Sequence, residues 1–485
     1  MVVLPRRVQG KIPVASLDGS NVSAGRPLRE DCVKMSFREH DHGGGAQPTP
    51  SDGLAEAEGE LILSADGEFP DDDALQRTGR VAACRLMPLS PDALQGFRPG
   101  TVRGADEFFR VGQLLNGTWS LIAPDDELFF ARAVNGVFAS ADSTHDPIAQ
   151  LRGWGFNALG AAAAGELRDE GLPFVATVDF SDAVSPIRAE GIRLPDVFDP
   201  EWGASAMLRA SAVCPKWSDR RDLIGWMTDD ALGWGGADGS GRSTLLQVCL
   251  SLEPSFAAYH AAWEYVLAAH AGQMSRVSRA WGTPIENKGV VRELTRGDRG
   301  LVSPGFLRDN VTWTREFARR YFAGASAAIR AHDNQHLILG AREAAGIGGP
   351  TDGSAWLAEC VFPLVDVAWV HTRNVGRLAV DPQWAGNFSW AAPSYWNAPA
   401  RSRARAVTAV ERMLRQGRAS LRAVIAHPAV VGYSWDAWVD EPAEQPPFAR
   451  GLVHRNHVEA REHTELLADL NHRVDTLRPI DGGVR

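Results

Sequence analysis

Two adjacent carboxylates, Asp229 and Asp230, stand in the run Leu223-Ile224-Gly225-Trp226-Met227-Thr228-Asp229-Asp230-Ala231-Leu232-Gly233-Trp234. A short apolar run that climbs into acidic residues and then meets Gly-Trp reads as a buried parallel strand delivering polar side chains to a pocket rim. Other carboxylates lie beside further apolar runs: Glu343 after Arg342, Asp381 ahead of Trp384, and Asp436 and Asp440 around Trp438. Carboxyl groups that face each other across a cleft can work as general acid and general base. The bland reading of each is a loop cap or an ion pair with one of the many arginines, which is the commoner fate of an exposed carboxylate. Serine-histidine-aspartate order, phosphate-cradling glycine loops and the His-Glu-x-x-His zinc motif are all missing.

The elements that must position these groups alternate between short apolar runs and helical stretches. Residues 108–113 and 117–122 read as a hairpin about Asn116-Gly117. A first strand is expected over 128–137, a helix over 148–154, a second strand over 156–160 and a third over 173–180. After the 223–234 strand come one long helix over roughly 255–281 and another over 311–333. The 336–343 run, a helix over 354–362 and the 365–371 run follow. The last part holds a 384–390 run, a helix over 400–425, the 430–438 run and a closing helix from about 459 to 477. About eight such units imply a parallel sheet with helical crossovers, and that number favours a closed α/β barrel over an open sheet. No dinucleotide-binding glycine fingerprint follows the first strand.

The chain has 485 residues, enough for a barrel of about 250 residues or more plus an accessory segment. Residues 105–480 are assigned to the barrel. Residues 1–104 form an accessory segment with few strands or partial disorder, since they hold the glycine-rich His40–Pro50 stretch and few apolar runs. A formal net charge of −10 argues against nucleic acid or an anionic membrane as partner. Cys32, Cys84, Cys214, Cys249 and Cys360 are widely spaced and form no Cys-x-x-Cys pair, so neither a disulfide frame nor a metal site is expected, and no cofactor either. No apolar signal segment follows Arg6 and Arg7, which places the chain in the cytoplasm unless it leaves by another route.

Seven collinear segments carry a resemblance: 108–112, 128–135, 151–160, 194–200, 223–234, 331–340 and 431–436. Together they resemble the agarase-type and β-galactosidase-type members of the retaining (β/α)8-barrel glycoside hydrolases, over about 106 to 455. In those barrels the fourth strand reads Asp-Asn-Glu-Leu-Gly/Pro-Trp, and its Glu is the general acid/base. Ala231 stands in that place. The family's nucleophile lies on the seventh strand in a segment like Thr/Gly-Glu-Phe-Ser-Phe, matched here by Gly386-Asn387-Phe388-Ser389-Trp390, so Asn387 replaces it. A methyl group cannot shuttle a proton, and an amide cannot form the glycosyl ester at a useful rate.

The resemblance implies a β-linked, galactan-type oligo- or polysaccharide bound at the C-terminal face of the barrel, with hydrolysis impaired. Asp230 with Asp436 or Asp440 would be the relocated pair of an active glycosidase or transglycosylase; a separation of roughly 6.5 to 9.5 Å would suit an inverting route. Asn135 and Asn157, placed at the ends of the first two strands, are candidates for sugar hydroxyls or for holding loops. Asp229, Trp234, Arg342, His371 and Trp435 complete the candidate binding set, with Trp435 as an aromatic floor and Arg342 as partner of Asp230, of Glu343 or of a charged sugar. A third reading is a scaffold in polysaccharide handling that ignores sugar.

Overall fold

Asn116 and Gly117 turn the chain where the sequence places a hairpin: Gly117 takes φ 91° and the Asn116 side chain accepts from the Thr118 N–H at 2.9 Å. The turn joins β1 (Arg110–Gln113) to β2 (Trp119–Ile122), and β3 (Leu128–Phe129) completes a three-stranded antiparallel sheet. The expected first strand is therefore split. Leu128 and Phe129 belong to this sheet, and the barrel begins at β4 (Ala131–Val134).

From β4 the parallel strands run in chain order through β5 (Ala158–Leu159) and β6 (Phe174–Thr177). A hairpin, β7 (Pro186–Ala189) and β8 (Ile192–Pro195), then packs antiparallel on the far end of β9 (Leu223–Trp234). The barrel continues through β10 (Leu337–Glu343), β11 (Ala368–His371), β12 (Gln383–Phe388) and β13 (Val430–Trp435), which pairs with β4. These eight parallel strands make a nearly closed barrel. Between β10 and β11 the joint is not a ladder: the Asp366 and Val367 N–H groups donate to the Ile338 carbonyl at 2.8 and 3.2 Å, and the Asp366 carboxylate accepts from the Ile338 N–H at 2.7 Å. The described residues are 96–139, 146–189, 191–235, 244–295, 301–343, 362–371, 375, 382–390, 403–440 and 450–478 of a computed structural model.

Inward side chains such as Ala133, Val175, Met227, Leu339 and Val431 share one core with Val111 and Leu121 of the antiparallel sheet. That sheet plugs the N-terminal end of the barrel, since the Trp119 N–H donates to Pro428, ahead of β13, at 2.7 Å. A second core lies between strands and crossover helices. Its main contributor is the helix Pro304–His332, capped by Ser303 at 3.2 Å to the Phe306 N–H, whose Trp313, Phe317, Tyr321, Ala325 and Ile329 recur at helical spacing. The sequence reading starts this helix late because the Ser-Pro start signal lies a turn and a half upstream of its apolar stripe.

The helix expected over 255–281 is two, Ala257–Ala269 and Met274–Trp281, because Ala271 and Gly272 adopt φ of 52° and 73° and end the first. The closing helix is likewise Arg461–Asn471 followed by Val474–Leu477. The helix expected over 354–362 falls outside the described residues, apart from Phe362, which opens a short 3-10 turn. Cys214 and Cys249 are both buried, and burial pushes the Cys214 thiol up to about 12. No described helix is long and apolar enough to cross a membrane, and the described residues hold no cluster of three or more metal-ligating side chains.

Candidate functional site

At the C-terminal mouth of the barrel one guanidinium collects side chains from three other strands. Arg342, near the end of β10, donates through Nε to Asp230 of β9. Its Nη1 lies 3.5 Å from the Asn387 carbonyl oxygen on β12 and 3.4 Å from Asp436, the residue that follows β13. Arg450, returning from the loop after β13, places Nη1 3.5 Å from the other oxygen of Asp436. The Asp436 and Arg450 side chains are only 12% and 14% exposed, so this is a partly desolvated cluster in which opposite charges pair. Pairing is what makes such burial tolerable.

Local backbone explains how Asn387 reaches the cluster. It takes φ 51°, a left-handed conformation that asparagine tolerates better than most residues, and the β12–β13 register shifts between Ala385 and Phe388. The preceding Gly386 is required by crowding: a Cβ there would lie 1.8 Å from Trp369 Nε1. The Asp436 N–H donates to Phe388 at 3.0 Å, and the Asn135 N–H donates to Trp435 at 2.9 Å, which sets Asn135 beside Asp436 at the rim.

The remaining sequence candidates are distributed differently. Ala231 follows Asp230 on β9, His371 ends β11 opposite Gly386, and Glu343 ends β10; Asp381 lies outside the described residues. Asn157 does not end the second strand. It precedes β5, where its side chain accepts from the Arg132 N–H at 2.7 Å and donates to Phe130 at 3.1 Å, tying β4 and β5 near their N-terminal ends. Trp234 packs among Phe317, Tyr321 and Phe322 of the long helix, on the outside of the barrel. Trp435 is fully buried. Its N–H donates to the Arg450 carbonyl at 2.9 Å, and Trp390 crosses it edge-on at 4.5 Å. Asp440 is also buried, accepting from the Gly451 N–H at 3.0 Å and meeting His454 Nδ1 at 2.8 Å, so it fastens the loop that carries Arg450.

Asp229 points away from its neighbour's cluster. Its carboxyl accepts from the Phe180 N–H at 3.1 Å and the Ser181 N–H at 3.2 Å and meets the Tyr321 hydroxyl. Burial pushes it well above the usual carboxylate range, and a hydrogen bond with Asp179 pushes the same way, outweighing the pull of Tyr321 and the Phe180 N–H. Asp179 goes down: burial opposes this, but hydrogen bonds from Asp229 and Ser181 and the Arg193 charge prevail. The two shifts run in opposite directions because the carboxyls couple across the end of β6 and β9. Sequence reasoning missed this pairing and Arg450, which reaches the mouth through a loop with no local signal.

Among solved structures the chain is similar to "an agarase, AgWH50C" at 16% identity, over 85% of this chain and 72% of that one, with TM-score 0.56. It is similar to an exo-β-agarase at 17% identity, over 86% and 71%, with TM-score 0.57. BpGH50 matches at 14% identity over 86% of this chain and 90% of its own, with TM-score 0.55. No protein-family model and no curated protein matches the sequence. At such identities the likeness speaks to architecture, and the chain has the (β/α)8-barrel fold found in agarase-type glycoside hydrolases.

Proposed function

We propose that the protein binds a β-linked, galactan-type saccharide at the barrel mouth and hydrolyses it poorly or not at all. The observation that carries this reading is the Arg342 cluster. At strand ends where a barrel enzyme sets its chemistry, Arg342 holds Asp230, Asn387 and Asp436, so the position matched to the nucleophile is an amide and the carboxylates Asp230 and Asp436 are ion-paired. The agarase-type architecture supports the saccharide class, and Ala231 in the acid/base position supports impaired hydrolysis.

The reverting pair Ala231→Glu and Asn387→Glu tests it. Wild-type protein should leave an activated aryl β-galactoside intact while the double variant releases the aryl group, and silence from a folded double variant would sink the reading. One observation favours a second reading: Asp230 and Asp436 meet the same guanidinium and so flank one space. If wild type cleaves the aryl galactoside and Asp230→Asn abolishes cleavage, the protein is a working glycosidase with relocated carboxylates. Asp440 is the weaker partner for that role, because Gly451 and His454 engage both of its oxygens.

A further inference from the structure

Beside the ion-pair cluster the barrel interior presents uncharged polar atoms. Alternation along the strands fixes which side chains face inward. Ala131 and Ala133 line the interior on β4, so the next inward position is Asn135; Val175 on β6 leads to Thr177, and Val367 ahead of β11 leads to Trp369. These three inward positions hold three buried polar atoms with no hydrogen-bond partner among the described residues: Asn135 Nδ2, Thr177 Oγ1 and Trp369 Nε1. Asn135 is 2% exposed, and its orientation is fixed because its oxygen accepts from the Ala161 N–H at 3.1 Å, which commits Nδ2 elsewhere. Glycines clear the space for two of the three. A Cβ on Gly160 would sit 2.2 Å from the Asn135 oxygen, as one on Gly386 would collide with the Trp369 indole nitrogen.

Several other buried side-chain atoms among the described residues lack a partner, and these three are set apart by standing at inward positions near the strand ends, where a bound molecule can reach them. We infer that Asn135, Thr177 and Trp369 form a throat subsite that takes hydroxyl groups of one neutral pyranose unit. This rests on the saccharide reading given above and extends it to a set of recognising atoms. The amide and indole N–H groups can only donate, so their partner must present acceptor oxygens, while Thr177 can donate or accept. A sugar hydroxyl satisfies both demands. The three atoms themselves carry no charge, which suits a neutral hydroxyl.

Calorimetric titration with an agarose-derived tetrasaccharide tests the assignment on full-length wild type, Thr177→Val, Thr177→Ser and Thr177→Ala. The Thr177 hydroxyl has no described protein partner, so Val should leave the melting temperature unchanged while weakening binding about tenfold or more, and Ser should bind like wild type. Should Val fail to fold, Ser against Ala isolates the hydroxyl at nearly constant size, with the same tenfold difference expected. Equal affinity with and without the hydroxyl would overturn the subsite while leaving saccharide binding standing; no heat from wild type would overturn both.

Discussion

Arg342 meets two carboxylates and an amide drawn from three strands, so its loss leaves Asp230 and Asp436 facing each other without the cation between them. Arg342→Met should therefore cost about 2–3 kcal/mol in urea denaturation, less than a fully buried pair because Asp230 keeps some contact with water. Adding Asp230→Asn should recover part of that loss. Asp229 makes a different prediction. Its folded pKa is raised above the unfolded value, so its stabilising contribution is complete below the ordinary carboxylate range and is lost as pH rises through the folded pKa. Asp229→Asn mimics the protonated form and removes that slope: from about pH 4 upward, wild-type denaturation midpoints should fall relative to those of the variant. Parallel profiles would refute the upward shift of Asp229. The Arg342–Asp230 pairing was legible in the sequence as one of three options, because both residues end neighbouring strands. Arg450 was not, since only a loop closing in three dimensions brings it to Asp436.

Among the elements, the strand after which that loop departs shows what a buried polar residue does for a functional rim. Asp440 holds the Gly451 N–H and His454, and two residues away the Val453 N–H donates to Trp438 at 3.0 Å. Asp440→Ala should free the 450–454 return, at a cost of about 1–3 kcal/mol for the unpaired amide, and speed hydrogen exchange at Gly451 and Val453 while the β4–β5 amides stay protected. Uniform loss of protection would contradict a local fastening role. Most barrel strands were readable because each is a short apolar run between helices. The second was placed correctly, but Asn157 was set at the wrong end of it. With only Ala158 and Leu159 in the ladder, nothing in the run 156–160 tells which of Asn157 and Gly160 lies at the mouth. The hairpin Pro186–Pro195 escaped notice because its strands carry arginines and depend on the far end of β9 for pairing.

For the molecule as a whole, fold and function were unequally visible. Alternation and segment order point to the barrel, and the solved agarase-type structures share its architecture. The mouth is built from residues drawn from distant parts of the chain, Asp230 and Arg342 lying 112 positions apart, and the inward orphan atoms emerge only when strand registers are closed into a ring. The ring also defines where the molecule should give way. The Asp366 carboxylate accepts from the Ile338 N–H and pairs with Arg330, so Asp366→Ala should cost about 3 kcal/mol, read as a lowered urea midpoint.

Among the described residues the joint between β10 and β11 is held by that one side chain and two amides rather than by a ladder. Pulled apart in an optical trap, the protein should yield at this joint at low force, and Asp366→Ala should lower the rupture force more than a comparable truncation on β13. The same joint is where the molecule could be cut into two pieces, residues 1–343 and 362–485, that reassemble when co-expressed, with Asp366 deciding whether the halves find each other.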